Sequence, residues 1–166
     1  MQGTLGRLLL ITALAALGAC AAPDRRAPLD AASPAPDFAL SITVRDDAHG
    51  LTPARYVLDP DGSLRAAIGP GAGSDLLPNF TRRLGEDERA GVWRLALAAG
   101  VPSGAPGSPG SRAAAPGSER AALDRGAGVV IWVRAQGASA VYTPSMTTDA
   151  NARLLVERFE ELAWVR

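Results

Sequence analysis

The sequence predicts an α+β fold, an antiparallel sheet of about five strands built from hairpins with two amphipathic helices on one face. Three observations carry this expectation. Residues 38–45 alternate apolar and polar with period two, the mark of a half-buried strand. Asp59-Pro60-Asp61-Gly62 separates two short strand-like runs, as a hairpin turn would. Near the end of the sequence, Ala152, Leu155, Val156, Phe159, Leu162 and Ala163 recur at helical spacing along one face. Consecutive hairpins favour antiparallel pairing, and helices with one apolar stripe each need a sheet face to cover.

Taken in order, the first strand directs Phe38, Leu40, Ile42 and Val44 to one side and Ala39, Ser41, Thr43 and Arg45 to the other. Asp46-Asp47-Ala48-His49-Gly50 then reads as a polar loop. A second strand over 55–58 meets the Asp59–Gly62 turn, and a third runs from Ser63 to Ile68. Pro60 presets φ, Asp61 bonds the backbone beyond it and Gly62 takes positive φ, the combination of a type I turn closed by a glycine bulge. Residues 69–80 read as a loop. Glu86-Asp87-Glu88 open a helix, where acids suit the unpaired N–H groups. Its stripe is Val92, Trp93, Leu95, Ala96 and Ala99. Gly100 suits the left-handed position beyond the end, with Val101 following and Pro102 preventing continuation. Gly91 weakens this helix, costing about 1 kcal/mol against Ala.

Residues 101–126 form a low-complexity insertion rich in Gly, Pro, Ser and Ala, with a helical turn expected over 118–124. Val129–Val133 is continuously apolar and reads as a central strand buried on both faces, or nearly so. Gln136-Gly137 makes a turn, Ser139–Thr143 the return strand, and Thr148 or Asp149 the cap of the last helix. Segments 54–100 and 127–164 thus share a hairpin–helix order.

The first twenty residues have a different character. Arg7 precedes the uncharged run Leu8–Leu17, which ends in Leu17-Gly18-Ala19-Cys20. The run is too short for a stable membrane span, which needs roughly 20 residues, and has the length of a signal-peptide core. An aliphatic residue, two small residues and a cysteine resemble the lipobox of bacterial lipoproteins. Gly18 departs slightly from that pattern, where Ala, Ser or Thr is more usual. The resemblance implies cleavage between Ala19 and Cys20, with the Cys20 thiol carrying the lipid, palmitate among its acyl chains. Ala19-Cys20-Ala21 also fits an ordinary secretory cleavage site, and a buried N-terminal helix is the third reading. Cys20 is the only cysteine, so no disulfide framework exists. On the lipoprotein reading, residues 1–19 are a signal peptide, 20–36 a Pro/Ala-rich tether and 37–166 one domain. The protein would then sit in the cell envelope, lipid-anchored on the extracytoplasmic side. Ala21 and Ala22, in place of aspartate after the cysteine, favour the outer membrane.

Composition narrows the partners. Seventeen basic residues, none of them lysine, balance seventeen acids. Nucleic-acid binding needs a basic stripe that displaces counterions from phosphate, and the arginines here are scattered among acids. Arg25-Arg26 and Arg82-Arg83 are the only doublets, so nucleic acid is not an expected partner.

Catalytic, cofactor-binding and metal residues are each read as none, after weighing the following. His49 with Asp46 and Asp47 supplies one imidazole where a catalytic zinc needs about three protein ligands. Asp59-x-Asp61-Gly62 opens like a calcium loop, but position 12 would be Pro70, so a turn is the better reading. Gly69-Pro70-Gly71-Ala72-Gly73-Ser74 lacks the Gly-Lys-Ser/Thr ending of a phosphate loop and reads as a solvated loop. Ser41, Ser63 and Ser139 lie in or beside strands, outside any nucleophile elbow. Glu160-Glu161 read as a solvated helix face. Trp93, Trp132 and Trp164 line either a groove or the core, and the core is favoured.

Tyr56-x-Leu58, Asp61-Gly62-x-Leu64 and the helix bearing Trp93 resemble uncharacterised envelope domains over less than a third of the chain. That resemblance carries no activity. Two function classes follow: a non-enzymatic envelope lipoprotein that binds a protein or wall component or assists assembly, and a surface-anchored hydrolase whose site the sequence hides. The missing polarised cluster favours the first.

Overall fold

The computed structural model describes residues 29–45, 48, 50–75, 77–101 and 119–164. Six antiparallel strands form one sheet: β1 (Ala39–Val44), β2 (Ala54–Leu58), β3 (Ser63–Ile68), β4 (Asn79–Arg83), β5 (Val129–Ala135) and β6 (Ala138–Tyr142), in the order β4-β3-β2-β1-β5-β6. Helices α1 (Glu86–Ala98) and α3 (Ala150–Ala163) pack against one another and cover one sheet face. A short helix, α2 (Glu119–Asp124), lies on the other face against β5. The fold is therefore α+β, as its hairpins and helical stripes predict, with one strand more than expected and with the helical turn expected over 118–124 present as α2.

The additional strand is β4, which the sequence places in a loop. It is an edge strand, mostly exposed, and its residues satisfy their backbone groups on β3 without contributing an apolar face. A second correction concerns β1, whose alternation predicts a half-buried strand. Instead β1 pairs with β2 on one edge and β5 on the other, and all six of its residues are buried. β5 is an interior strand between β1 and β6, and Val129–Val133 is buried apart from the half-buried Trp132, as its continuous apolar run predicts.

The main core lies between the sheet and the two long helices. Leu40, Ile42 and Val44 from β1 meet Tyr56 and Leu58, Ile131 and Val133, and the helix residues Val92, Trp93, Leu155 and Phe159. Trp93 sets its indole edge-to-face on Phe38, with centroids 4.8 Å apart and planes at 68°. Tyr56 lies 5.8 Å from Phe159 across the sheet–helix seam. Burial first, and the Glu160 carboxylate second, push the Tyr56 phenol above its ordinary value, so it stays neutral. All six residues expected to form the α3 stripe are buried.

Local chemistry sets the element ends where the sequence places them. The Gly62 N–H donates to the Asp59 carbonyl at 2.9 Å, and the Asp59 N–H to the Ser63 carbonyl at 2.9 Å, with Gly62 at φ 84°. That is the type I turn with its glycine bulge. Gly62 is also pressed against β4, since an added Cβ would lie 3.1 Å from the Leu84 carbonyl oxygen. The C-terminus of α1 is a Schellman motif: Val101 N–H donates to the Ala96 carbonyl at 3.0 Å and Gly100 N–H to the Leu97 carbonyl at 2.9 Å. At its N-terminus the Glu88 carboxylate accepts from the Gly85 N–H at 3.0 Å. The Asp149 carboxylate caps α3 by accepting from the Ala152 N–H at 2.9 Å.

The segment boundaries shift inward. Residues 29–36, read as tether, run against α1. The Trp93 indole N–H donates to the Asp30 carbonyl at 2.6 Å, Arg89 donates to the Ala35 carbonyl at 3.3 Å, and Ala35 is buried. The insertion expected over 101–126 is likewise built into the fold at both ends. Val101 is buried beneath the α1 terminus, and α2 packs Ala122 on Val130 and Val141. Residues 102–118 lie outside the described residues, as do residues 1–28, on which the expected signal peptide and most of the expected tether fall.

Candidate functional site

The sheet face opposite the long helices carries the candidate site, and period two puts it there. With Leu40, Ile42 and Val44 committed to the core, Ser41 and Thr43 must point the other way. Arg55 lies directly across from Thr43 in the β1–β2 register, so the two side chains stand together on this face. Two elements lie over them. One is a single 3₁₀ turn, Ala72–Ser74, whose Gly73 approaches so closely that an added Cβ would sit 3.2 Å from the Thr43 methyl. The other is α2.

Between these elements is a cleft of about 660 Å³, lined by Thr43, Arg45 and Arg55 from the sheet side, by Gly71, Gly73 and Ser74 from the turn, and by residues of α2. That size lies within the usual range of ligand pockets. At its base is a three-way polar cluster. Arg55 grips the Glu119 carboxylate with both terminal nitrogens, at 2.7 and 3.3 Å. Arg55 also donates to the Thr43 hydroxyl at 2.9 Å, and that hydroxyl donates in turn to Glu119. The side chains of Arg55 and Glu119 are only 15% and 17% exposed, which sets this pair apart from the surface ion pairs of the chain. A planar guanidinium matched to a planar carboxylate is the strongest arrangement for such a pair. Arg45 ties α2 down further by donating to the Leu123 carbonyl at 2.9 Å. Among the described residues, two buried polar atoms on this face have no hydrogen-bond partner: Arg55 Nε and Ser41 Oγ.

The residues singled out from sequence are dispersed. Cys20 and Ala19, the expected lipid and cleavage sites, lie outside the described residues, as do His49, Asp46, Asp47 and Arg25-Arg26. Asp59 and Asp61 serve the hairpin: Asp61 accepts from the Ser63 N–H and hydroxyl and pairs with Arg83 at 2.7 Å. The Ser63 N–H, chiefly, holds the Asp61 carboxyl below its ordinary value. Arg82, the other half of the second doublet, pairs with Glu88 at 2.8 Å. Glu160 accepts from the Thr52 hydroxyl, and Glu161 pairs with Arg158. Trp93 is core, Trp132 half-buried on the far face beside α2, and Trp164 61% exposed. Ser139 is exposed on β6.

The Gly69–Ser74 stretch, read as a solvated loop, is exposed or half-buried apart from Ala72, and the 3₁₀ turn Ala72–Ser74 at its end brings Gly73 and Ser74 to the cleft wall. Sequence reasoning missed the Thr43–Arg55–Glu119 cluster entirely. The one available signal was an arginine within a strand, which reads as solvent-facing until something is known to cover it. Among the described residues, no group of three metal-ligating side chains occurs, and no helix is long and apolar enough to cross a membrane. No family model matches the chain, and neither the curated proteins nor the solved structures contain a match to it.

Proposed function

We propose that this chain is a lipid-anchored module of the bacterial cell envelope that binds an envelope protein or wall component through the cleft and performs no chemistry on it. The anchor would be Cys20, its thiol lipidated before cleavage after Ala19 makes it the first residue. Two or more acyl chains, each contributing about 0.8 kcal/mol per buried CH₂, hold a protein firmly to a bilayer. The uncharged run Leu8–Leu17 and the Leu17-Gly18-Ala19-Cys20 pattern support that part.

The observation that carries the binding part is the locked state of Glu119. A carboxylate gripped by a two-pronged guanidinium and a hydroxyl has its oxygens committed, and is a poor base or nucleophile. Fixed donors beside open space suit recognition.

Two experiments address the two parts. Cys20→Ser should abolish incorporation of a fatty-acid analogue and release the chain from the membrane. Equal labelling of both proteins contradicts the anchor. A photo-crosslinking residue at Ser74, on the cleft wall, should capture a discrete partner in intact envelopes, while the same residue at Arg158, on α3, should not. Capture at both positions alike, or at neither, contradicts the cleft as the contact surface.

A further inference from the structure

The two halves of the Arg55–Glu119 pair are held very differently. Thr43 and Arg55 stand on β1 and β2, the two innermost strands, each hydrogen-bonded along both edges. Glu119 rides on α2, a helix of six residues whose one fully buried side chain is Ala122. A helix that short is unstable alone in water, so α2 keeps its shape through docking.

The acids lining the cleft all lie on one side of the same boundary. The sheet side and the turn supply Arg45 and Arg55 and no acid, while both lining acids, Glu119 and Asp124, belong to α2, together with Arg120, which pairs with Asp124 at 3.6 Å. With α2 lifted away, the remaining lining is a basic surface with a hydroxyl at its centre. Even with α2 in place the face has donors to spare, since the buried Arg55 Nε and Ser41 Oγ are unpartnered. A buried donor without an acceptor is costly, and a ligand offering more acceptors than one carboxylate would relieve that cost. Ser41 lies two residues from Thr43 on the same face of β1, so such acceptors would follow the strand direction.

We infer that Thr43 and Arg55 form a carboxylate receptor whose internal occupant is Glu119, and that an acidic segment of a partner protein binds there by displacing α2. The inference deepens the binding role proposed above and rests on it for the cleft being the contact surface. Arginine suits this task because its fork matches a carboxylate in geometry as well as charge. Competition from Glu119 makes the site selective for segments with several carboxylates, since a single one gains nothing over the occupant it replaces. By the same competition, an occupant present about nine-tenths of the time weakens an incoming ligand about tenfold.

The test uses the full chain purified in detergent and an N-acetylated tetraglutamate peptide as probe, with tetraglutamine as control. Calorimetry should show tetraglutamate binding about tenfold tighter to Glu119→Ala than to the wild type. Glu119→Gln, which keeps the side chain's shape and removes its charge, should shift in the same direction. Adding Arg55→Ala to Glu119→Ala should remove the gain, and tetraglutamine should bind none of these proteins. Hydrogen exchange supplies a readout that a purely structural ion pair would not move: saturating tetraglutamate should deprotect amides 120–126 in the wild type and leave β1 and β2 unchanged. Equal affinity for the wild type and both Glu119 variants overturns the inference, as does full retention of protection over 120–126. If Ser74 cross-links a partner but tetraglutamate shows no such ordering, the ligand class is wrong and the contact surface stands. If the ordering holds without a cross-link, the receptor stands and the envelope role fails.

Discussion

Asp37 shows how one side chain joins distant parts of the chain. Its carboxylate accepts from the backbone N–H groups of Gln136 and Gly137, at 2.8 and 2.7 Å, and faces Arg134 at 3.6 Å. The entry to β1 is thereby tied to the turn between β5 and β6. Gln136 and Gly137 both have positive φ, the turn type that matches strand twist, and the carboxylate satisfies N–H groups that this turn leaves outward. The Gly137 N–H foremost, then the Gln136 N–H and the Arg134 charge, hold the Asp37 carboxyl below its ordinary value against the opposing effect of burial. A depressed folded value means stability that is present above the unfolded value of about 3.9 and is lost as pH falls through the folded one. Asp37→Asn should therefore lower the urea midpoint at neutral pH, and the gap between the two proteins should close on acidification below pH about 4. A gap that persists unchanged at pH 2 would contradict this assignment. Phe159 is a simpler case. It is fully buried against Tyr56, and emptying so large a core site costs about 3–5 kcal/mol. Phe159→Ala should lose that much by chemical denaturation, and an unchanged midpoint would mean that α3 does not cover the sheet.

Among the elements, α1 offers a change in the opposite direction. Gly91 lies inside the helix, and a Cβ built there meets nothing within 4 Å. Gly91→Ala should raise stability by about 1 kcal/mol through the unfolded chain's lost freedom. A lowered melting temperature would show that the glycine is needed for an approach absent from this structure. The same helix shows why some elements can be read from sequence. Its acidic first turn, its stripe and its Gly100-Val101 ending are each local, so neighbouring residues suffice to specify them. The Asp59–Gly62 hairpin and the α3 stripe are legible for the same reason. β4 is not, because Asn79-Phe80-Thr81-Arg82-Arg83 buries little and pairs through its backbone, which every sequence offers equally. The cluster at Thr43, Arg55 and Glu119 is further out of reach. Its members come from a central strand, the strand beside it and the end of a low-complexity stretch, and no spacing connects them.

At the scale of the whole molecule the sheet has a nearly symmetric plan. One hairpin–helix unit, β2-β3 followed by α1, extends to one side of β1, and another, β5-β6 followed by α3, extends to the other. β4 is added at the first unit's edge. Each unit is specified locally, but their common partner is the first strand in the chain, and its position between them depends on covering both of its faces. Hence the fold class and the enclosed Val129–Val133 strand were legible, while the burial of β1 on both faces was not. The helices close one face with a large apolar core, and among the described residues the other carries a small cluster of Ala122, Val130 and Val141 with Leu123, Ala127 and Trp132 against it. That difference leaves room for a cleft on the second face.

The position of β1 also has a consequence in time. A chain is made from its N-terminus, so β1 emerges early and finds β2 and β3 soon after. Its second edge must wait for β5, with Val44 paired to Val129 and most of the chain intervening. Throughout that delay the most apolar strand of the N-terminal half presents open N–H and C=O groups, the template that invites pairing with another chain. Pairings so distant along the sequence are also slow to form. The nascent first half is thus the stage at which this protein is most prone to stick to its own copies, and the arrival of Val129–Val133 ends that exposure.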